Sequence, residues 1–130
     1  MKIKLTTVVV DDQEKALRFY TEVLGFVKKA DYSNGPYRWL TVASAEEPEG
    51  TELQLAPASP AAQAYQQALL QQNQPAAMFF TDDVKADYER MKAKGAEFSM
   101  PPSDVQYAWI AMVSDGCGNR IQITQLKKWS

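Results

Sequence analysis

The sequence contains four landmarks that recur in one order at nearly constant spacing, and this internal repeat limits the possible folds more than any other feature. The landmarks are a pair of acidic residues, a glycine, a Tyr-x-Trp run and an apolar-Gln-apolar triplet. The first copies lie at Asp11–Asp12, Gly25, Tyr37–Trp39 and Gln54, and the second copies at Asp82–Asp83, Gly95, Tyr107–Trp109 and Gln122. Such a period indicates two copies of one structural module.

Each module is predicted to have the order strand, helix, strand, strand, strand. The predicted strands are residues 3–10, 26–30, 37–43 and 51–56 in the first copy, and 76–81, 96–100, 105–113 and 119–126 in the second. We expect Asp11 to begin the first helix, with Glu14 completing a capping box, and Asp82 or Asp83 to begin the second. Glycines at 25 and 95 are placed to end these helices.

The predicted fold class is α+β, with two βαβββ repeats forming a curled eight-stranded mixed sheet. A chain of 130 residues fits a single domain. The expected divisions are repeat one at 1–56, a linker helix within 57–75 that begins at Ser59-Pro60, and repeat two at 76–130. Each repeat is near the size at which a core alone becomes marginal, so the two are expected to share one core.

Composition excludes several classes of function. The chain has no histidine, which removes Ser-His-Asp and Cys-His catalysis and the commonest transition-metal ligand. A net charge of −2 gives no electrostatic reason to expect a nucleic-acid partner. No apolar run approaches the length of a membrane span, so no membrane partner is expected. The lone cysteine, Cys117, permits no internal disulfide and favours a cytoplasmic location.

Strand alternation predicts which side chains face away from the helices. If Ile110 and Met112 face the second helix, the residues that face the other way include several aromatics and amides. The predicted inward set contains the ligand-binding candidates Trp39, Trp109, Tyr37, Tyr107, Gln54, Gln122, Phe80, Met78 and Arg120, together with Ala111, Thr41, Glu52, Thr124, Ala76, Leu5 and Thr7. Aromatic walls with sparse polar groups are typical of small-molecule pockets.

Three stretches resemble the vicinal oxygen chelate superfamily, which includes glyoxalase I, bleomycin-resistance proteins and extradiol dioxygenases. The first stretch spans residues 10–26 and contains Phe19-Tyr20 and Leu24-Gly25-Phe26. The second is the run from Arg38 to Ala43. The third is Asp115-x-x-Gly118-Asn119, in which Gly116 and Cys117 replace the proline and aspartate usual in the family. The resemblance covers the whole chain and implies the fold, but not one activity.

The resemblance also implies where metal ligands would lie. In metal-using members, His or Gln, Glu, His and Glu come from the first, fourth, fifth and eighth strands. Those places fall here on Leu5, Gln54, Ala76 and Gln122. Two apolar residues and two neutral amides are a poor set for a catalytic divalent ion, so we expect no cofactor and no metal.

Three functions stay open from the sequence. The first is a metal-independent binding protein that holds an aromatic or planar ligand in an aromatic-lined cup between the two sheets. The second is a glyoxalase-like lyase or isomerase that uses a metal or non-standard catalytic residues, so whether the protein is an enzyme is left open. The third is a partner-binding domain whose cup is filled by its own side chains, with Gln54 and Gln122 satisfying each other. A homodimer is implied by the resemblance alone.

Overall fold

A computed structural model describes residues 1–128, and its first half contains one four-stranded sheet. The strands pair in the order β1-β4-β3-β2, with β1 parallel to β4 and the other pairs antiparallel. In chain order the elements are β1 Leu5–Val10, α1 Gln13–Arg18, a π-helical turn Phe19–Val23, β2 Val27–Asn34, β3 Tyr37–Ala43 and β4 Glu52–Pro57.

The second half repeats this arrangement. Its strands pair in the order β5-β8-β7-β6, again with one parallel pair, β5 and β8. In chain order the elements are a connecting helix α2 Pro60–Gln71, β5 Ala77–Phe80, α3 Val84–Ala93, β6 Phe98–Asp104, β7 Ala108–Ser114 and β8 Arg120–Leu126. The predicted fold class, two βαβββ repeats built on mixed sheets, is confirmed.

The chain divides into two compact units, Met1–Gln66 and Gln67–Ser130, with the boundary inside α2. The single-domain organisation stays a prediction. The last two residues of the predicted second repeat lie outside the described residues. Within residues 1–128, the structure contains no helix with the length and apolar character needed to cross a membrane.

Each unit buries apolar side chains where its sheet meets its helix. In the first unit, Tyr20 and Ala16 from the helical segment are fully buried. The strand side chains buried with them are Val8, Val10, Leu40, Val42, Leu53 and Leu55, which are alternate residues of their strands. In the second unit, Val84 and Met91 of α3 are buried, as are Ala111, Val113, Ile121 and Ile123 of the central strands. Burial of these side chains drives the helix onto the sheet.

The two helical segments begin and end alike but differ by one residue in length. Asp12, not the predicted Asp11, begins α1 by accepting the Lys15 amide N–H at 3.0 Å, whereas Asp83 accepts that of Ala86 as predicted. Gly25 and Gly95 both adopt φ +91°, which only glycine adopts readily. The first segment accommodates its extra residue in the π-helical turn, where the bonding span lengthens.

Two predicted strand boundaries in the second half are wrong. The expected strand at 96–100 continues past Pro101 to Asp104, with shifts in pairing around the two prolines. An edge strand tolerates proline because its outer side needs no hydrogen-bond donor. The strand expected from residue 105 begins at Ala108, because Gln106 has φ +81° and turns the chain.

The predicted helix start at Ser59 and the predicted turn at Asp115 are confirmed. Ser59 accepts the N–H of Ala62 at 3.2 Å, and α2 begins at Pro60. Between β7 and β8, Asp115 accepts the N–H groups of Cys117 at 2.7 Å and Asn119 at 3.1 Å. This carboxylate holds the tight turn, as an Asx residue does locally.

Candidate functional site

The first sheet has one face that is turned away from α1, and three predicted ligand-binding residues lie on it. Gln54 pairs in register with Thr7 on one side and Thr41 on the other, so these side chains share a face. Trp39 and Tyr37 alternate with Leu40 and belong to the same face as Thr41. The sequence prediction for the orientation of Tyr37, Trp39 and Gln54 is therefore confirmed. We call this surface the first open face.

Hydrogen bonds fix the polar groups of the first open face. The Thr7 hydroxyl donates to Gln54 Oε1 at 3.1 Å, and Gln54 Nε2 donates to the Tyr37 hydroxyl oxygen at 3.4 Å. The Thr41 hydroxyl donates to Glu52 Oε1 at 2.6 Å. A neutral amide is thus held in one orientation beside aromatic rings, an arrangement that can bind a flat molecule and fix its direction.

The second sheet has a corresponding face, which we call the second open face. Met78, Gln122 and Met112 form one row across β5, β8 and β7, and Phe80, Thr124 and Ile110 form the next. Met78 and Phe80 are each 54% exposed. Gln122 Nε2 donates to the Thr124 hydroxyl at 3.1 Å and contacts the Met78 sulfur at 3.7 Å. Predicted candidates Met78, Phe80 and Gln122 therefore share this face.

Trp109 does not lie on the second open face, and the prediction of its orientation is wrong. Trp109 pairs with Gln125, whose Oε1 accepts the N–H of Val84 at the start of α3. The ring therefore faces the helix side of the sheet. Ala111 is likewise on the helix side, whereas Ile110 and Met112, expected to face the helix, lie on the second open face.

The physical reason is a one-residue slip in matching the two copies. Thr41 pairs with Gln54 and Met112 pairs with Gln122, so Thr41 and Met112 are equivalent positions in the two copies. The separation of Thr41 and Met112 along the chain is one residue longer than that of Trp39 and Trp109. The residue equivalent to Trp39 is thus Ile110, and Trp109 is equivalent to Arg38. A slip of one residue in a strand moves every side chain to the other face.

Of the two remaining candidates, Arg120 pairs with Ser114 and alternates with Ile121, so it is on the side of the sheet that carries the second open face, whereas Tyr107 lies outside both open faces. Tyr107 is 70% exposed in the turn before β7, where its carbonyl oxygen accepts the Lys127 N–H at 3.2 Å. The Arg120 guanidinium donates to the Leu70 carbonyl oxygen at 3.0 Å. It lines a cavity of about 270 Å³ together with Glu97 and Ser114. Arg120 therefore ties β8 to the end of α2.

The helix side of the first sheet carries an ion-paired triad that no sequence motif singled out. Arg38 donates to both carboxylate oxygens of Asp31 at 2.8 Å and to Glu14 at 2.8 Å. The hydrogen bonds that Arg38 donates to Asp31, and then the one it donates to Glu14, raise the pKa of Arg38 above its ordinary value. Arg38 in turn holds the pKa of Asp31 below its ordinary range. One sequence signal could have pointed to Arg38, namely a repeat alignment that pairs Thr41 with Met112. That alignment pairs Arg38 with Trp109, so it shows that the two copies differ in chemistry at this position.

The positions that hold a metal in relatives do not form a donor set here. Leu5 and Ala76 have no donor atom, and the carbonyl oxygen of Gln54 already accepts a hydrogen bond from Thr7. Among residues 1–128, no three His, Cys, Asp or Glu side chains are grouped to hold a metal ion. Two neutral amides lack the charge that a divalent ion requires of its ligands.

Paired βαβββ modules with an open face on each sheet define the glyoxalase and bleomycin-resistance class of fold. The chain belongs to the Glyoxalase/Bleomycin resistance protein/Dioxygenase superfamily, whose family model matches residues 2–123.

Relatives extend over nearly the whole chain. It is 45% identical over 126 residues to YurT, an uncharacterized protein of Bacillus subtilis strain 168, covering 96% of this chain and 99% of that protein. TnmS3, described as an antibiotic binding protein from Streptomyces sp. CB03234, is 32% identical with a TM-score of 0.78, covering 98% and 97% of the two chains. UcmS2 is 28% identical with a TM-score of 0.82, covering 95% and 97%.

Proposed function

We propose that this protein is a metal-independent small-molecule binding protein that holds a planar aromatic ligand. One observation carries the proposal: the first open face presents Trp39 and Tyr37 around an amide, Gln54, that is fixed by hydrogen bonds. The description of the related TnmS3 as an antibiotic binding protein supports the same class of function.

The first open face has the chemistry that a flat ligand needs. Tyr37 is 46% exposed and Leu5 is 39% exposed, so an apolar ring can stack there and lose contact with water. Stacking on an aromatic ring contributes about 0.5–1.5 kcal/mol beyond the burial of area. Gln54 is placed to exchange its long 3.4 Å hydrogen bond to Tyr37 for one to a ligand oxygen. On the second sheet, we propose Met78, Phe80 and Gln122 as ligand contacts of the same kind.

The test is binding of a library of planar aromatic molecules, followed by thermal shift and by calorimetry of the strongest ligand. We expect Trp39→Ala to weaken that ligand at least about tenfold, because the stacking surface is lost. Tyr65→Ala is the matched control, because Tyr65 is an exposed ring on α2. Equal binding by Trp39→Ala, or no ligand in the library, would contradict the proposal. Stoichiometric nickel, zinc, iron or manganese tied to a catalytic activity would replace it with an enzyme of the glyoxalase type.

We also propose that the protein works in the cytoplasm as a homodimer. The location rests on the presence of a single cysteine in 130 residues, and the dimer rests on the family resemblance. Sedimentation at micromolar concentration tests the dimer, and a single monomeric species would refute it.

A further inference from the structure

The helix side of the second sheet carries an open groove that belongs to neither open face. Its volume is about 430 Å³, within the range of small-molecule sites. Its walls include Trp109 of β7, Tyr88 of α3 and Pro102 of β6, so three elements of one unit build it. Trp109 is 38% exposed there, which leaves a large ring surface in contact with water.

The first half carries different side chains at the equivalent place. The alignment that pairs Arg38 with Trp109 also pairs Glu14 with Lys85 and Asp31 with Pro102, so all three members of the ion-paired triad have equivalents. In the first half Arg38 is ion-paired with both Asp31 and Glu14 and so joins the three positions. In the second half the equivalent three positions line the groove. The groove therefore results from different side chains at equivalent positions of a duplicated backbone.

The groove walls are held in place by contacts outside the groove. The Lys127 ammonium lies 4.8 Å from the centroid of the Trp109 ring and is paired with Asp104 at 2.8 Å. Tyr88 packs edge-to-face against Phe98, with ring centroids 4.6 Å apart. Rings that are already positioned lose little entropy when a flat molecule stacks on them.

One directional hydrogen-bond donor lies among these rings. Gln125 Oε1 accepts the N–H of Val84 at 2.9 Å, and this fixes which end of the amide is oxygen. The Nε2 group then presents its hydrogens from a half-buried position in the groove lining. No acceptor for these hydrogens is found within residues 1–128. A ligand oxygen is the natural acceptor for this donor.

The charged residues of the groove favour a ligand without net charge. Lys85 and Glu89 are both exposed on α3 and both line the groove. Within residues 1–128, neither forms an ion pair, and their opposite charges cancel. The charges that line the groove therefore sum to zero, and Lys92, whose ammonium lies 4.9 Å from the Tyr88 ring centroid, is outside the lining.

We propose that this groove is a second ligand site, which binds a small uncharged planar aromatic molecule carrying a carbonyl or hydroxyl oxygen. The rings of Trp109 and Tyr88 provide the stacking surface, and Gln125 Nε2 donates to the ligand oxygen. The site uses residues of the second unit only and does not depend on the function proposed for the open faces.

The test uses coumarin, a neutral planar lactone, as the probe on the whole ¹⁵N-labelled protein. Titration followed by NMR should shift the Trp109 indole N–H and the amides of residues 84–89, with saturation below about 1 mM. Coumarin-3-carboxylate and an aminomethyl coumarin test the charge preference, and both should bind more weakly. No saturable shift at Trp109, or tenfold tighter binding of either ion, would overturn the proposal.

Two variants separate groove binding from general loss of structure. Trp109→Leu should weaken coumarin at least about tenfold, because a stacking ring is removed. The double variant Lys85→Glu with Trp109→Arg copies two members of the triad into the groove and should abolish the shifts while the protein stays folded. Tyr65→Leu is the control and should bind as the parent does. Unchanged binding in the double variant would overturn the proposal, whereas loss of binding in Trp39→Ala alone would concern only the first open face.

Discussion

The helix sides of the two sheets share one backbone plan and have opposite character. In the first half, Arg38 makes a bidentate bond to Asp31 and a further bond to Glu14, and we call this the closed side. In the second half, the equivalent Trp109 leaves an open groove of about 430 Å³. After duplication one copy can keep a closed, ion-paired form while the other gains a surface for new chemistry. The fold itself needs only the alternating buried residues that both halves retain.

The largest expected change in the free energy of unfolding follows from replacing Arg38, the central residue of the closed side. We expect Arg38→Leu to lower the free energy of unfolding by about 2 kcal/mol, because Asp31 and Glu14 lose the cation they share and only Lys28, 3.7 Å from Asp31, remains nearby. Trp109→Leu, the equivalent change on the open side, should cost about 1 kcal/mol or less, since the ring is already 38% exposed. Urea denaturation of both variants measures the difference.

The matched control for that comparison is Arg18→Leu, because Arg18 is exposed on α1 and has no ion-pair partner within residues 1–128. It should change the free energy of unfolding by less than about 0.5 kcal/mol. If Trp109→Leu costs as much as Arg38→Leu, the two sides do not differ in the way described above.

A smaller effect should depend on pH and only on the closed side. Arg38 lowers the pKa of Asp31 from its ordinary value of about 3.9, so the folded state favours the charged carboxylate. This contribution is fully present above that ordinary pKa and is lost as the pH falls through the folded-state pKa. We expect Asp31→Asn to cost about 1–2 kcal/mol at pH 7.

Denaturation of Asp31→Asn and the parent at several pH values checks this sign. The gap between the two should narrow steadily once the pH is lowered below the ordinary pKa of an aspartate. A gap that stays constant down to the acid limit of folding would show that the pKa of Asp31 is not depressed by Arg38.

The smallest expected effect is a loss of stability that should be equal in the two halves. Gly25→Ala and Gly95→Ala each place a Cβ at φ +91°, where neither new atom meets a neighbour within 4 Å. The cost therefore comes from backbone conformation alone, at about 1 kcal/mol for each variant. Thermal denaturation should give equal losses of stability. A clear inequality would mean that the two helix ends differ in ways beyond their shared geometry.

Much of the fold follows from the sequence, because the repeat and the alternation are local patterns. Asp83, Ser59 and Asp115 act where the sequence placed them, since each bonds to a backbone group within four residues. The orientation of Trp39 also follows from alternation along β3. Trp39 is on the same face as Thr41, which pairs with Gln54 of β4.

Trp109 could not be placed in this way. The visible Tyr-x-Trp match differs by one residue from the pairing that the sheet adopts, and only the hydrogen-bond register distinguishes the two. The ion-paired triad around Arg38 could not be predicted from the sequence either. Its members come from α1, β2 and β3, and sequence spacing carries no sign that they meet.

Cys117 is fully buried in the turn that Asp115 holds, and it is the chain's sole thiol. A thiol reagent can reach it only when that turn opens, so the rate of its modification in native buffer follows the opening of the second half. The first half carries no such chemical handle. The rate of thiol modification therefore reports how often this turn opens, and it can be measured without introducing a cysteine.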